Sequence, residues 1–433
     1  MNKWALLLFV LLLGGCREKQ QEIYLTPQKA TEYFKKVEAA CSKDNGRLWG
    51  KNLYGPVMYI DRSSRKIFAN HPDNEGLLKL KDGVYIGSYP RELIISNTAV
   101  RYGGTLFAMA PLPPEEDEYR ILNRAIHGLF HCFQESSGYS SSRYNTPNMD
   151  EKNARIWLKL EWRALRKAIG TEGSEQQLAI RDALVFKGSS RELYREYVGD
   201  EIKFENYEGL ATFTYTLLLA ENNEDLSFHL LEYLDRIYQM PSYSRTYGTI
   251  TGALYAELLH LKGYDFTAIR SDRTDLSDEV RKLYDIQLPE VCRDVAGSLA
   301  LNYDIDIIQA EEAKREADIK ERIHRLISTF TEKPVVCFEL ESPYFDFEDS
   351  DIHPMDTLGT LYSTLRVSDN WGKLSVEKGG CLVANNLKFL RITSKGYKAD
   401  RNRVEGEGWH LVLNNGWEII PINENYYVRK LVP

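Results

Sequence analysis

The sequence lacks several features that mark common classes of protein. The apolar run at its amino terminus is too short to cross a bilayer as a permanent helix, and no second long apolar run follows. Its six cysteines are widely spaced and include no C-x-x-C pair, which argues against a disulfide framework and against a cysteine-based metal site. Basic clusters are absent and the formal net charge is -8, so we expect no nucleic-acid partner. The 433 residues, with 43% hydrophobic content, are enough for two or three globular domains.

The amino terminus has the pattern of a secretory signal. Lys3 precedes an apolar run over residues 4–13 that is too short for a permanent membrane span, so residues 1–15 are predicted to be a signal peptide. The sequence Leu-Gly-Gly-Cys that ends at Cys16 resembles the lipobox of bacterial lipoproteins, in which cleavage before the cysteine is coupled to acylation of its sulfur. The alternative is a plain secretory signal that happens to contain a cysteine.

The lipobox resemblance also implies a location in the cell envelope. Arg17 stands where lipoproteins retained in the inner membrane have aspartate, so the resemblance implies an outer-membrane lipoprotein of a Gram-negative bacterium. Residues 16–28 are polar and are predicted to form a tether. The membrane would then hold the mature protein only through its lipid.

The most informative stretch is a predicted helix over residues 120–135. His127 and His131 stand one turn apart on the same side of this helix, which is the spacing at which two imidazoles can share one metal ion. A helical wheel places the apolar residues on a separate arc that would pack on a core. That arc contains Leu122, Ala125, Ile126, Leu129, Phe130 and Phe133.

The polar side of the same helix predicts a groove. Asn123 and Gln134 fall beside the two histidines, with Arg124 and Glu135 next to them. The alternative is an ordinary solvated face, because the H-x-x-x-H spacing alone is a weak pattern. The helix therefore offers half of a possible zinc site.

A second motif offers the third ligand. Residues 205–213 begin another predicted helix, and the run Glu-Gly-Leu-Ala within it resembles the third-ligand motif of gluzincins, the thermolysin-like and aminopeptidase-like metallopeptidases. The resemblance assigns the role of third ligand to Glu208, with Glu205 and Glu161 as alternatives. Two histidines and one carboxylate leave one position of a tetrahedral Zn²⁺ open for water.

The site is predicted to lack the usual general base. In metallopeptidases of the H-E-x-x-H kind, a glutamate after the first histidine takes a proton from the metal-bound water. That position is Gly128 here, and a glycine inside a helix also costs about 1 kcal/mol relative to alanine. Glu135, Glu161 and Glu205 are the candidates to replace the base. Tyr215 is a candidate for stabilising an oxyanion.

Glu161 lies inside the apolar stripe of a third predicted helix, over residues 153–169. A buried carboxylate needs a partner, because an unpaired buried charge costs several kcal/mol. Either it forms an ion pair with an arginine such as Arg124, or it is a metal ligand or a group that holds one of the histidines.

These pieces together resemble an uncharacterised family of bacterial secreted proteins and lipoproteins. The resemblance rests on His127, His131, the Leu-Glu-Trp-Arg-Ala-Leu run around Glu161, and Glu208, and it covers roughly residues 54–262. In that family the first motif is expected to read His-Glu-Leu-Phe-His, whereas this chain has His-Gly-Leu-Phe-His. The resemblance implies a zincin fold, in which a small sheet leads into the histidine helix, but it implies no substrate.

The predicted organisation is an α+β chain. A zincin-like domain is expected over residues 29–332, rich in strands over 50–111 and helical over 115–332, followed by a β-rich module over 335–433. Strands of the first region are predicted at residues 57–60, 66–69, 84–86, 93–95 and 105–109. In the β-rich module, Trp371, Trp409 and Trp417 belong either to the core or to a ligand surface.

Three functions are compatible with this pattern. The favoured prediction is an envelope-anchored lipoprotein whose gluzincin-like domain binds zinc but has lost efficient peptidase activity. The first alternative is an active zinc hydrolase that uses another carboxylate as its base. The second is a non-catalytic envelope protein that binds a peptide or a glycan.

Overall fold

The chain divides into two compact units. The computed structural model describes residues 25–91, 93–112, 117–138, 144–346 and 352–431. The first unit ends at Glu312 and the second begins at Ala313. A sheet and many helices form the first unit, and two β-sheets form most of the second, so the predicted α+β class is confirmed. The predicted signal peptide, Cys16 and the tether up to residue 24 lie outside the described residues.

The described chain enters the fold through a capped helix. Helix α1 (Pro27–Ser42) begins after Thr26, whose hydroxyl accepts a hydrogen bond from the backbone N–H of Lys29 at 3.2 Å. The last two residues of the predicted tether therefore already belong to α1. Its apolar side is buried in the core of the first unit.

A six-stranded sheet follows, in the order β3-β4-β2-β1-β6-β5. Strands β1 and β6 pair in parallel, and the other neighbours pair antiparallel. Helices α1 and α2 share one core with one face of this sheet, and the opposite face carries a smaller apolar cluster. The strands are β1 (Val57–Ile60), β2 (Lys66–Ala69), β3 (Lys79–Lys81), β4 (Val84–Ser88), β5 (Thr98–Tyr102) and β6 (Thr105–Pro111).

One predicted strand of this sheet is wrong. Residues 93–95 are not a strand, because the guanidinium of Arg65 binds the backbone carbonyls of Tyr89, Pro90 and Leu93 and holds the segment as a loop. The strand lies instead at β5. Gly103 and Gly104, with φ of 53° and 74°, then turn β5 into β6.

Helices make up the rest of the first unit. A π-helical turn, Glu205–Gly209, joins α5 to α6 and is called the π-turn below. The helices are α2 (Glu118–Ser136), α3 (Lys152–Ile169), α4 (Gly173–Leu193), α5 (Val198–Phe204), α6 (Leu210–Leu219), α7 (Asn223–Tyr238), α8 (Tyr247–Leu261), α9 (Leu276–Leu283), α10 (Arg293–Ala300) and α11 (Ile305–Thr331), of which α11 continues into the second unit. Within the described ranges, none of these helices combines the length and apolar character that a membrane span requires.

The boundary between the two units, at Glu312 and Ala313, falls inside α11. The boundary predicted from the sequence lies after this helix, at residues 332–335. Glu312 is buried in the first unit, where it pairs with Arg155 and Lys159, each at 2.8 Å. The carboxy-terminal part of α11 instead packs on the second unit, where Leu326 and Phe330 join an apolar cluster with strands of one sheet.

The second unit consists mainly of two antiparallel-rich sheets whose inner faces share one core. Their strand orders are β18-β19-β7-β14-β13-β10-β9 and β15-β16-β17-β12-β11-β8. Trp371 and Trp409 are buried in this core and Trp417 packs against it, so the core alternative is correct for the first two. The strands are β7 (Val335–Glu339), β8 (Tyr344–Asp346), β9 (Ile352–Pro354), β10 (Thr360–Tyr362), β11 (Leu365–Asp369), β12 (Gly372–Val376), β13 (Cys381–Val383), β14 (Phe389–Thr393), β15 (Lys398–Asp400), β16 (Arg403–Gly406), β17 (Trp409–Leu413), β18 (Trp417–Ile422) and β19 (Asn425–Lys430).

Candidate metal centre

Helix α2 and the π-turn bring three metal-ligating side chains together. Nε2 of His127 lies 2.8 Å from Nε2 of His131, and Oε2 of Glu208 lies 3.3 Å and 3.7 Å from these two atoms. This group, called the metal triad below, could hold a metal ion, and it is the only such group in the described part of the chain.

The spacing of the metal triad fits a small tetrahedral ion. Ligand distances of about 2.0–2.2 Å place neighbouring donor atoms roughly 3.3–3.6 Å apart around a tetrahedral metal. In the metal triad, the separation of 3.3 Å lies in that range, the separation of 3.7 Å lies just above it, and the 2.8 Å between the two imidazole nitrogens lies below it. Two nitrogens and one oxygen are also a donor set that Zn²⁺ accepts, with one position left open.

Helix α2 places the histidines by burying its other side. Its amino terminus is capped by Asp117, and its predicted apolar arc packs in the core of the first unit. His131 is only 1% exposed and His127 12%, so the alternative of an ordinary solvated face is wrong. The histidines lie in a buried polar cluster rather than in an open groove.

The π-turn presents Glu208 to the histidines because α8 packs closely behind it. A Cβ on Gly209 would lie 2.6 Å from the Cα of Gly252, and a Cβ on Gly252 would lie 2.4 Å from the backbone oxygen of Glu205. Only glycine permits this approach. A π-turn is a common feature of functional sites, since its wider turn redirects side chains.

Two tyrosines that the sequence analysis did not select complete the surroundings. The hydroxyl of Tyr144 donates a hydrogen bond to Oε1 of Glu208 at 3.3 Å. The ring of Tyr207 stacks on that of His131 with centroids 4.2 Å apart. Tyr207 belongs to the Glu-Asn-Tyr-Glu run, so its proximity to the third ligand is a usable sequence signal. Nothing in the sequence singles out Tyr144 among 27 tyrosines.

The electrostatics favour a cation at this point. Burial alone would raise the pKa of Glu208, but the two neighbouring imidazoles hold that pKa well below the usual range. Burial, reinforced by the neighbouring His131, lowers the pKa of His127. The triad therefore offers an ionised carboxylate beside a neutral imidazole, the protonation states of metal ligands. In the described part of the chain, the ion-pair partners of Glu208 are only the two histidines.

Gly128 is buried against the sheet. A Cβ at this position would lie 3.0 Å from the Cβ and 3.3 Å from the Cα of Ala108 in β6. The glycine therefore has a packing role, since it allows α2 to approach the strand closely. A glutamate here would have to displace β6 or turn away from it.

The other candidate bases have partners of their own. Glu135 is exposed and pairs with Arg101 at 2.8 Å. Glu161 lies 3.3 Å from Lys187, so its partner is this lysine and not an arginine such as Arg124. Arg124 instead donates to the backbone oxygen of Pro111.

Glu205, the alternative third ligand, also pairs with Lys187, at 2.6 Å. It belongs to a network that we call the ionic cluster, made of Glu161, Lys187, Arg191, Glu201, Glu205 and Asp275. Tyr215 lies next to the metal triad, with its ring centroid 6.1 Å from that of His127. Burial raises the pKa of Tyr215 well above its ordinary value, which keeps the phenol protonated as a donor.

Comparisons with known proteins add no relative. No family model, no curated protein and no solved structure matches the chain.

Proposed function

We propose that this protein is an envelope-anchored bacterial lipoprotein whose metal triad binds Zn²⁺ and which has lost efficient peptide hydrolysis. The observation that carries the proposal is the convergence of His127, His131 and Glu208 beside Gly128, at the position where H-E-x-x-H metallopeptidases have their base. The anchoring part of the proposal rests on the lipobox-like sequence at Cys16.

Charge supports a bound cation. Nε2 of His127, Nε2 of His131 and Oε2 of Glu208 converge, and the carboxylate has no lysine or arginine among its described ion-pair partners. A divalent cation would balance the charge of this carboxylate and replace the hydrogen bond between the two imidazole nitrogens. His127, His131 and Glu208 would be its protein ligands.

The missing base argues against efficient hydrolysis. Zinc in such a site would polarise a substrate carbonyl and lower the pKa of a bound water. A well-placed base typically contributes about 10²–10⁴ in rate. Among the predicted replacements, Glu135 is held by Arg101, and Glu161 and Glu205 are held by Lys187.

Metal analysis tests the site itself. The purified protein should contain about one zinc per chain, and His127→Ala, His131→Ala or Glu208→Ala should remove it. Glu161→Gln is the matched control, because it changes a buried carboxylate outside the metal triad and should leave the zinc in place. Zinc-free wild-type protein would refute the proposed site. Loss of zinc in Glu161→Gln, with zinc retained in Glu208→Ala, would show that Glu161 and not Glu208 is the third ligand.

A peptide library tests the loss of hydrolysis. We expect little or no zinc-dependent cleavage by the wild type. Gly128→Glu supplies the missing base and should give a detectable gain in cleavage. It should be made together with Ala108→Gly, because the new side chain contacts Ala108 in the strand behind the glycine. Strong hydrolysis by the wild type would refute this part of the proposal and favour the alternative hydrolase. A zinc-loaded but inert double variant that retains a peptide or glycan would favour the binding protein.

Membrane fractionation tests the anchor. Cys16→Ser should release the protein from the outer-membrane fraction or leave its signal peptide uncleaved, because the sulfur that would be acylated is gone. Unchanged fractionation together with unchanged labelling by a radioactive fatty acid would contradict the lipoprotein assignment. A signal-peptide variant that keeps Cys16 serves as the processing control.

A further inference from the structure

Gln134 contacts both elements that supply the metal triad. It lies on α2 three residues after His131, and its side chain is completely buried. Its amide nitrogen donates to the backbone oxygens of Asn206 at 3.2 Å and Tyr207 at 3.3 Å, both within the π-turn. Its Oε1 lies 2.8 Å from Nδ1 of His131. One buried side chain therefore links the histidine helix to the turn that carries Glu208.

These contacts determine where His131 carries its proton. A backbone carbonyl can only accept hydrogen bonds, so the two carbonyls of the π-turn fix the amide nitrogen of Gln134 on their side and Oε1 on the side of His131. Because Oε1 also only accepts, Nδ1 of His131 must be the donor. A neutral imidazole protonated at Nδ1 has its lone pair on Nε2. That nitrogen is the one that faces the other two members of the metal triad.

We propose that Gln134 is a positioning residue of the metal triad, which selects the Nε2-ligating tautomer of His131 and ties α2 to the π-turn. The effect on metal affinity rests on the proposed zinc site, whereas the tautomer exists without any metal. Hydrogen-bond partners of this kind are typically worth about 10–100-fold in metal affinity, because they hold the ring in its ligating orientation.

Two variants separate the hydrogen bond with His131 from the hydrogen bonds to the π-turn. Gln134→Met keeps the volume of the side chain and removes both kinds of hydrogen bond. Gln134→Glu keeps an oxygen acceptor for Nδ1 of His131 but replaces the amide donor. Gln176→Met is the matched control, because Gln176 donates to the backbone oxygen of Ala168 on another helix and touches no member of the metal triad.

The measurements are the tautomer of His131 in the metal-free full chain and the affinity for Zn²⁺ alone. Nitrogen-15 NMR of selectively labelled histidine, assigned with His127→Ala and His131→Ala, should show Nδ1–H at His131 in the wild type, in Gln134→Glu and in the control. Gln134→Met should show a mixture of tautomers. Zinc affinity should fall about 10–100-fold in Gln134→Met, by less in Gln134→Glu, and not in the control.

The tautomer distinguishes failure of this inference from failure of the zinc site. An Nε2–H tautomer of His131 in the wild type would overturn the inference whether or not zinc binds, and this result does not require either Gln134 variant to fold. A Gln134→Met protein with the wild-type tautomer and affinity would overturn it as well. Absence of zinc binding together with the Nδ1–H tautomer would refute the proposed function while leaving the positioning role supported.

Discussion

The metal triad and the ionic cluster share the π-turn and differ in where their positive charge comes from. In the ionic cluster, Lys187 lies within 2.6–3.3 Å of three buried carboxylates, and Arg191 pairs with Glu201 and Asp275. In the metal triad, Glu208 faces two imidazoles and no described lysine or arginine. A buried carboxylate needs a cation, a proton or several donors. Because no lysine or arginine pairs with Glu208 in the described residues, a bound metal ion is the simplest source of positive charge for its carboxylate.

The largest expected effect comes from removing the internal cation. Lys187→Met would leave Glu161, Glu201 and Glu205 buried without their shared partner, so the free energy of unfolding should fall by about 3–5 kcal/mol. Urea unfolding measures the change. Lys36→Met is the control, because this lysine pairs with acids at the surface, and it should change stability little. A loss in Lys187→Met no larger than in the control would mean that the ionic cluster carries little of the stability.

The second largest effect on stability should come from adding Zn²⁺ to the metal triad. Free Zn²⁺ at 100 times its Kd should raise the free energy of unfolding of the wild type by about 2.7 kcal/mol, because it binds only the folded chain. Thermal unfolding at increasing zinc should show this stabilisation in Glu161→Gln and not in Glu208→Ala. Equal stabilisation of both variants would remove the distinction between the two clusters.

Glu257 lies outside both clusters, has no ion-pair partner in the described ranges, and tests the same rule. Glu257 is buried in α8 with a hydrogen bond from Ser227, and burial raises its pKa from 4.5 to about 7. Because the folded state holds this proton more tightly, Glu257 costs stability as pH rises through the window from about 4.5 to 7. Glu257→Gln should therefore be more stable than the wild type at pH 8, by on the order of 1–3 kcal/mol, and should match it near pH 4. Unfolding curves with a difference independent of pH would contradict the raised pKa.

The smallest expected effect concerns Gly128, the glycine beside the metal triad. Gly297 in α10 is the control: it has open space around it, so Gly297→Ala should stabilise the protein by about 0.5–1 kcal/mol. Gly128→Ala should lack this gain, because its new methyl group meets Ala108, and the gain should return in an Ala108→Gly background. Chemical denaturation of the double-mutant cycle should give a coupling of about 1 kcal/mol. Additive effects would show that Gly128 has no packing role.

Much of the fold was predictable because each element carries a strong local signal. The apolar arc of α2 and the spacing of its histidines follow directly from helical periodicity. Strand β5 was missed although Gly103 and Gly104 mark a two-residue hairpin turn. The loop that replaces the predicted strand depends on Arg65, which lies more than twenty residues earlier, and such a contact has no local signature.

The sequence predicted which three side chains converge in the metal triad but not their surroundings. Sequence periodicity treats residues 205–220 as one α-helix, in which Glu205 and Glu208 share a face and compete for the same role. The π-turn is wider than an α-helical turn and directs the two carboxylates to different clusters. At this turn Gly209 packs closely on α8, a contact between segments about forty residues apart that has no local signature.

The same π-turn makes the metal site sensitive to the exact length of the chain. Each residue of an α-helix advances the side chains by about 100° around the axis. Loss of Asn206 or Tyr207 from the π-turn, with α5 kept in its packed position, would convert the turn to an ordinary α-helical register and carry the carboxylate of Glu208 away from the histidines. A single-codon deletion could thus remove the third ligand while leaving every ligand residue in the sequence, and a metal-content assay on such a variant would reveal it.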